Sequence, residues 1–203
     1  MVNLISAFIL FSHIYVGYLV ADIWIGMRHW FKDTYFNPYT PFIGKYYIWG
    51  AWLHHVKPMR LVEIPDYDLF IDIAKWNAPV MLYLIYISNM SPFFISMYIT
   101  MCFSDIAHKY CHFKDGDKPL WILILQRLLI LQDKEEHHVH HILPYSVNYC
   151  MISPFINGIL EKHKFWRRIE NFIENNFGIK PRSYKIRYIT DKNYPGNVKF
   201  ILD

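Results

Sequence analysis

Residues Asn89-Met90-Ser91-Pro92 decide the fold, because they interrupt an apolar block that runs from Ile71 to about Ile106. Asn followed by Ser-Pro is a turn signal, and the residue before a proline is driven out of helical geometry. The block therefore divides into two helices, about 71–89 and 92–113, folded back on each other as a tight hairpin. Upstream, the run from Leu4 to Gly26 holds about 20 apolar residues, enough to cross a hydrocarbon core of about 30 Å. It has no basic start and no small-residue cleavage site, so it is expected to stay as an anchor helix. Residues Asn37 to Pro65 carry Pro38, Pro41, Pro58 and Pro65 and read as an ordered connection with short helical pieces near the interface. The run from Pro119 to Leu131 reaches roughly 20 Å as a helix, too short to span, and is expected to lie at the interface or against other helices. Ile142 to Leu160 reads as a half-buried segment, and Trp166 to Phe177 as a basic amphipathic helix.

Composition agrees with a bilayer as part of the solvent. Of 203 residues, 54% are hydrophobic and 19% aromatic, above the 45–50% apolar share of ordinary soluble domains. The formal net charge of +4 does not point to nucleic acid as a partner. The late basic residues, Lys162, Lys164, Arg167, Arg168 and then Lys180, Arg182, Lys185 and Arg187, suit the cytoplasmic side of a membrane. Cys102, Cys111 and Cys150 form no CxxC pair and read as buried thiols in a reducing compartment. The expected architecture is an all-α integral membrane chain. It has about three transmembrane helices, interfacial helices and a cytosolic cap. Residues 1–180 form one domain, and 181–203 a polar C-terminal tail.

Histidine is the informative residue, with 11 copies, mostly clustered. Four groups stand at the ends of apolar segments: His29 with Asp33; His54-His55; His108 with His112; and His137, His140 and His141. Spacings of three and four place side chains on one helical face, a chelating geometry. The last group thus offers three imidazoles to a common point, while His138 points elsewhere. Asp33, one turn beyond His29, can accept the other ring N–H of a ligated histidine or bind metal itself. Asp105, one turn before His108, is a second candidate for such an outer carboxylate. Eight imidazoles exceed what one ion uses, so two ions fit the count better, and imidazole alone does not choose among iron, zinc, copper and nickel. His13, inside the first apolar run, reads as a packed residue and His163 as solvent-facing. Trp30, Trp52 and Tyr110 are candidates to line a substrate groove or to sit in an interfacial belt. All four groups must meet on one side of the membrane. The hairpin supplies the two crossings between His55 and His108 that this needs.

These residues resemble the Kua family of membrane desaturases, which includes the plasmanylethanolamine desaturases, over about residues 20–180. Ala21-Asp22 with His29-Trp30 and Asp33-Thr34 is similar to its HWxxDT motif, and His54-His55 with Pro58 to its HHxxP motif. His108-Lys109-Tyr110-Cys111-His112 is similar to HKxxH, and His137-x-x-His140-His141 to HxxHH followed by Tyr149-Cys150. Glu161-Lys162 and Phe165-Trp166-Arg167-Arg168-Ile169-Glu170 resemble its closing stretch. Leu53 departs from the acidic residue that often precedes the double histidine. The resemblance implies a dioxygen-dependent, di-iron (two Fe2+) enzyme that removes two hydrogens from a lipid chain. The reaction would turn plasmanylethanolamine into plasmenylethanolamine, a vinyl-ether plasmalogen; the alternative is a desaturase or hydroxylase of a phospholipid acyl chain. Electrons would come from NAD(P)H through cytochrome b5. The setting would be the endoplasmic reticulum or an equivalent host or bacterial inner membrane, with the metals on the cytosolic side. The eight motif histidines would be the ligands. A more distant reading is a metal-binding membrane transporter, which would spread its ligands through the membrane depth.

Overall fold

Three long helices pack side by side, and two of them bring two of the four histidine groups to one end of the molecule, where two short helices add the others. The computed structural model describes residues 3–182 and 186–202. Helix α1, Leu4–Tyr35, is capped by the Asn3 side chain, which accepts from the Ser6 amide. Its 32 residues reach about 48 Å at 1.5 Å per residue. That exceeds a hydrocarbon core of about 30 Å, so the last turns, with His29 and Asp33, project past the apolar run. Helices α3, Asp66–Ile87, and α4, Pro92–Cys111, form the expected hairpin. Asn89 and Met90 take left-handed backbone angles in the turn, and Pro92 opens α4.

Small residues let these helices approach. A Cβ on Gly17 would sit 2.4 Å from the Phe93 carbonyl oxygen, and Ser96 Oγ donates to the Ile14 carbonyl at 2.7 Å. Close backbone approach with a side-chain hydrogen bond is the usual joint between helices in lipid. At the other end, Lys109 and Tyr110 of α4 grip the start of α3. Lys109 Nζ donates to Asp66 Oδ1 at 2.7 Å and to the Ile64 carbonyl at 2.6 Å, and the Tyr110 hydroxyl donates to Asp66 Oδ2 at 2.8 Å.

Among the described residues, two helices are long and apolar enough to cross a membrane, α1 and α3. About three had been expected. Helix α4 has the length, but Ser96, Ser104, Asp105, His108 and Lys109 lower its hydropathy, and it packs against both of the others. The flanks of α1 and α3 expose Leu4, Phe8, Phe11, Trp76, Tyr83 and Tyr86. A continuous apolar surface of that kind suits lipid rather than water. His13, expected to be packed, lies on the exposed face of α1.

The remaining elements are short. A π-helical turn, Gly44–Ile48, runs into α2, Trp49–Val56. Helix α5, Leu120–Arg127, is the short apolar run, with Leu120, Trp121 and Ile124 exposed. Helix α6, Lys134–His140, starts at a capping box between Asp133 and Glu136. Helices α7, Ile156–Lys162, and α8, Phe165–Phe177, follow, and α8 ends at Gly178 with a φ of 70°.

The segment read as a polar tail folds in part. Strands β1, Arg187–Thr190, and β2, Val198–Ile201, pair antiparallel, Arg187 opposite Ile201 and Thr190 opposite Val198. Val198 and Phe200 are buried against Trp49 and Trp52 of α2. Their alternation with polar neighbours is a half-buried strand pattern. Leu53, where the related motif often has an acid, packs against this same hairpin core. Trp30 and Trp52 are packing residues, and Tyr110 is buried in its bond to Asp66. The three cysteines are buried and free.

Candidate metal centre

Four elements each deliver part of the centre. The end of α1 gives His29 and Asp33. The last turn of α2 gives His54 and His55. Helix α4 gives His108, with His112 as its C-cap. Helix α6 gives His137 and His140, with His141 as its C-cap. The structure brings all eight expected histidines together and sorts them, with Asp33, into two groups. One holds His54, His108, His112, His137 and His141; the other holds His29, His55, His140 and Asp33; within each group the ligand atoms lie within 4.8 Å of one another. The groups are neighbours: the His55 and His141 rings are 5.4 Å apart between centroids, and those of His29 and His108 6.4 Å.

The sorting corrects one expectation. His137, His140 and His141 do not aim at a common point. His137 and His141, four apart, join the first group, and His140 turns to the second. His54 and His55 divide likewise, because consecutive helical residues diverge by about 100°.

In the first group the Nε2 atoms form a continuous path. His112 faces His54 at 3.1 Å, His54 faces His141 at 3.1 Å, His141 faces His137 at 3.0 Å, and His137 faces His108 at 2.9 Å. A neutral ring nitrogen carries either one proton or one lone pair, so it enters one good hydrogen bond, not two. Protein alone can therefore satisfy at most two of these four contacts. A cation at the shared focus would use all five lone pairs. The spacing fits as well: ring nitrogens about 2.1 Å from one ion, at right angles about it, stand about 3.0 Å apart. The rings are also held neutral, as ligation needs. Burial, then the neighbouring histidines, push His54 and His137 well below the usual imidazole range, His112 to about 4 and His141 to about 2.

The second group is built around Asp33, which is buried. Its Oδ2 lies 3.2 Å from His29 Nε2, 3.0 Å from His55 Nε2 and 3.5 Å from His140 Nε2. Two rings are oriented from behind: His29 Nδ1 is 3.2 Å from the Tyr149 carbonyl oxygen, and His140 Nδ1 is 2.8 Å from that of Val147. Those carbonyls can only accept, so both Nδ1 atoms donate and both Nε2 lone pairs face Asp33. Asp33 Oδ1 and His140 Nε2 are buried without a hydrogen-bond partner among the described residues. A cation between carboxylate and imidazoles would relieve both. Asp33 thus meets the ligating nitrogens themselves rather than the outer ring N–H of a ligated histidine. Asp105, the other expected carboxylate, belongs to neither group. His138 and His163 are exposed.

The roles of three more residues were not foreseen. Asp22, a fully buried carboxylate in α1, accepts from the amides of Met151 and Ile152 at 3.0 Å each and of Ser153 at 2.7 Å. It clamps the irregular segment whose carbonyls hold His29 and His140. A carboxylate inside a membrane span is the signal that marks it. Gly26 lets that segment lie close, since a Cβ there would stand 2.6 Å from Cys150 Sγ. Tyr145 stacks on His55, centroids 4.4 Å apart. The closing motif braces the same wall. Trp166 packs on Trp30 and Tyr149, and Glu170 accepts from Trp30 Nε1 at 2.9 Å while pairing with Arg167.

Comparison with known proteins agrees with this centre. The lipid desaturase domain family matches residues 18–184. The chain belongs to that family. It is therefore a membrane desaturase of oxidoreductase type, and both histidine groups lie inside the matched span. A probable fatty acid desaturase of Acanthamoeba polyphaga mimivirus is 44% identical over 191 residues, covering 94% of this chain and 96% of that protein. Plasmanylethanolamine desaturase 1 of Mus musculus is 27% identical, covering 85% of this chain and 68% of that protein. Chloroplastic fatty acid desaturase 4 of Arabidopsis thaliana is 28% identical, covering 84% of this chain and 53% of that protein. No solved structure matches.

Proposed function

We propose that this desaturase holds two irons and uses dioxygen to convert plasmanylethanolamine into plasmenylethanolamine. The observation that carries the di-metal reading is the pair of adjacent donor sets, five imidazoles in one and three imidazoles with Asp33 in the other. A transporter would spread its ligands along a path, and these meet at one end of the helices. An unactivated C–H bond offers no acidic proton, so redox metals with dioxygen supply the hard chemistry when bound. Four electrons and four protons reduce dioxygen to two waters. The lipid supplies two electrons and two protons, and NAD(P)H through cytochrome b5 supplies the other two electrons, with protons from solvent.

The chain's own residues set the stage for that chemistry. His54, His108, His112, His137 and His141 would hold one ion, and His29, His55, His140 and Asp33 the other. The carbonyls of Tyr149 and Val147 fix two tautomers, and the Trp30–Trp166–Tyr149 wall keeps water from one side. The ether substrate is supported by the names of the Mus musculus relative and of a Myxococcus xanthus plasmanylethanolamine desaturase, 27% identical. A second reading, an acyl chain of a phospholipid, is supported by the name of the 44% identical mimivirus relative. We place the centre on the cytosolic face of the endoplasmic reticulum or an equivalent host or bacterial inner membrane, in keeping with the basic segments after α7.

Expression in cells lacking their own plasmalogen-forming enzyme tests the proposal. Acid-labile vinyl-ether lipid is expected to return. A new acyl double bond with no vinyl ether would give the second reading the field, and no oxygen-dependent change in lipid would remove both.

A further inference from the structure

The connection between α1 and α2 has a surface that the metal centre does not use. Between Thr34 and Val62 there is no Asp or Glu, while Lys45, Lys57 and Arg60 are cationic. The stretch 39–47 is aromatic, and at its tip the side chains point outward: Phe42 is 96% exposed and Tyr46 84%, while Tyr39 turns back to bond the Phe200 carbonyl. Phe42 adopts a φ of 65°, a left-handed conformation that is costly for a bulky residue. Strain at a loop tip that throws a bare phenyl ring into water is doubly unfavourable. It becomes sensible where that ring has an apolar destination.

Contacts with α1 fix the height of this loop. Arg28 Nε donates to the Tyr47 hydroxyl at 3.2 Å, and Lys32 Nζ stands 5.1 Å over the Tyr47 ring. The loop thus folds back beside the turns of α1 just past the apolar run that ends at Gly26. That level is the water–lipid boundary of a helix spanning from Leu4. Aromatic side chains with flanking Lys and Arg are the composition that boundary favours. The stretch itself carries no acidic group to oppose a leaflet of anionic phosphates.

We propose that residues 39–47 are an interfacial anchor that seats Phe42 and Tyr46 in an anionic lipid leaflet, with Lys45 against its phosphates and Arg28 and Lys32 holding Tyr47 from α1. The anchor runs without a break into α2, whose His54 and His55 feed the two metal groups separately. Its seating sets the height of the centre above the lipid.

The test reads depth directly in the full chain reconstituted in nanodiscs. All three native cysteines are buried, so a fluorescent maleimide reports on Phe42→Cys, on Tyr46→Cys as an independent second position, and on Gly116→Cys in an exposed acidic turn as the aqueous reference. Labels at 42 and 46 are expected to emit to the blue of the label at 116 and to be quenched by nitroxide-labelled lipid. Replacing neutral lipid with phosphatidylglycerol is expected to strengthen the quenching. Lys45→Glu is expected to weaken that response by about fivefold or more, the worth of one basic residue near an anionic surface. Labels at 42 and 46 that behave like the label at 116 would overturn the proposal. So would labels insensitive to lipid quencher but shielded by an added soluble, acidic electron-transfer protein, because the surface would then be a protein dock.

Discussion

The two ligand groups solve one problem with different chemistry. Five imidazoles from three elements surround one focus, and their Nε2 atoms have no carboxylate among them. Three imidazoles share the other with Asp33, and backbone carbonyls steer two of those rings from behind. The first group rests on helix termini: the end of α2, the end and cap of α4, and the two ends of one turn of α6. The second leans on an irregular segment, residues 147–153, clamped to α1 by Asp22. An all-neutral donor set leaves its ion more positive than one that includes a carboxylate. The pair is therefore chemically unequal, and the two ions should respond to different mutations.

The largest effect is expected from His137→Ala. It removes the nitrogen that faces both His108 and His141, so the five-imidazole group should lose its ion. Lipid desaturation should fall by at least about 100-fold, beyond the effect of losing a supporting partner, while the chain still inserts in membranes. Full activity would break the ligand assignment. Asp33→Asn sharpens the contrast. It takes the charge from one group only, so metal analysis should find close to one ion per chain instead of two; loss of both or neither would show that the groups are not separate. Asp22→Ala acts one step further out. Freed of its clamp, the 147–153 segment no longer holds the two carbonyls, and metal affinity of the Asp33 group should drop about 10- to 100-fold with the other group spared. The smallest difference between groups is expected from Phe200→Ala. A buried phenyl ring lost from the hairpin core should cost about 3 kcal/mol in unfolding experiments. Because α2 serves both groups, metal loss on warming should affect the two equally.

Much of this organisation was legible in the sequence. The turn at Asn89–Pro92 and the i, i+4 pairs His29/Asp33 and His108/His112 follow from local rules, since a turn signal and one helical turn are short-range facts. Which ring joins which group was not legible. That neighbouring rings point apart is local, but which group His54 and His55 each enter depends on where the end of α2 docks, and His140 is held in its group by the Val147 carbonyl. Both are set by long-range packing. The spacing of Asp33 from His29 allows either role, outer partner or ligand, and only the position of His55 and His140 decides. The hairpin at 187–201 was hidden in a polar tail. Its two strands are four residues each, and two buried side chains in β2 leave a weak alternation.

The measurement that bears most directly on the account is anaerobic titration of the metal-free, reconstituted chain with ferrous iron. Two binding events per chain are expected, and Asp33→Asn is expected to abolish one of them and leave the other. A chain that takes up a single ion, or none, would contradict the assignment of two neighbouring metal sites.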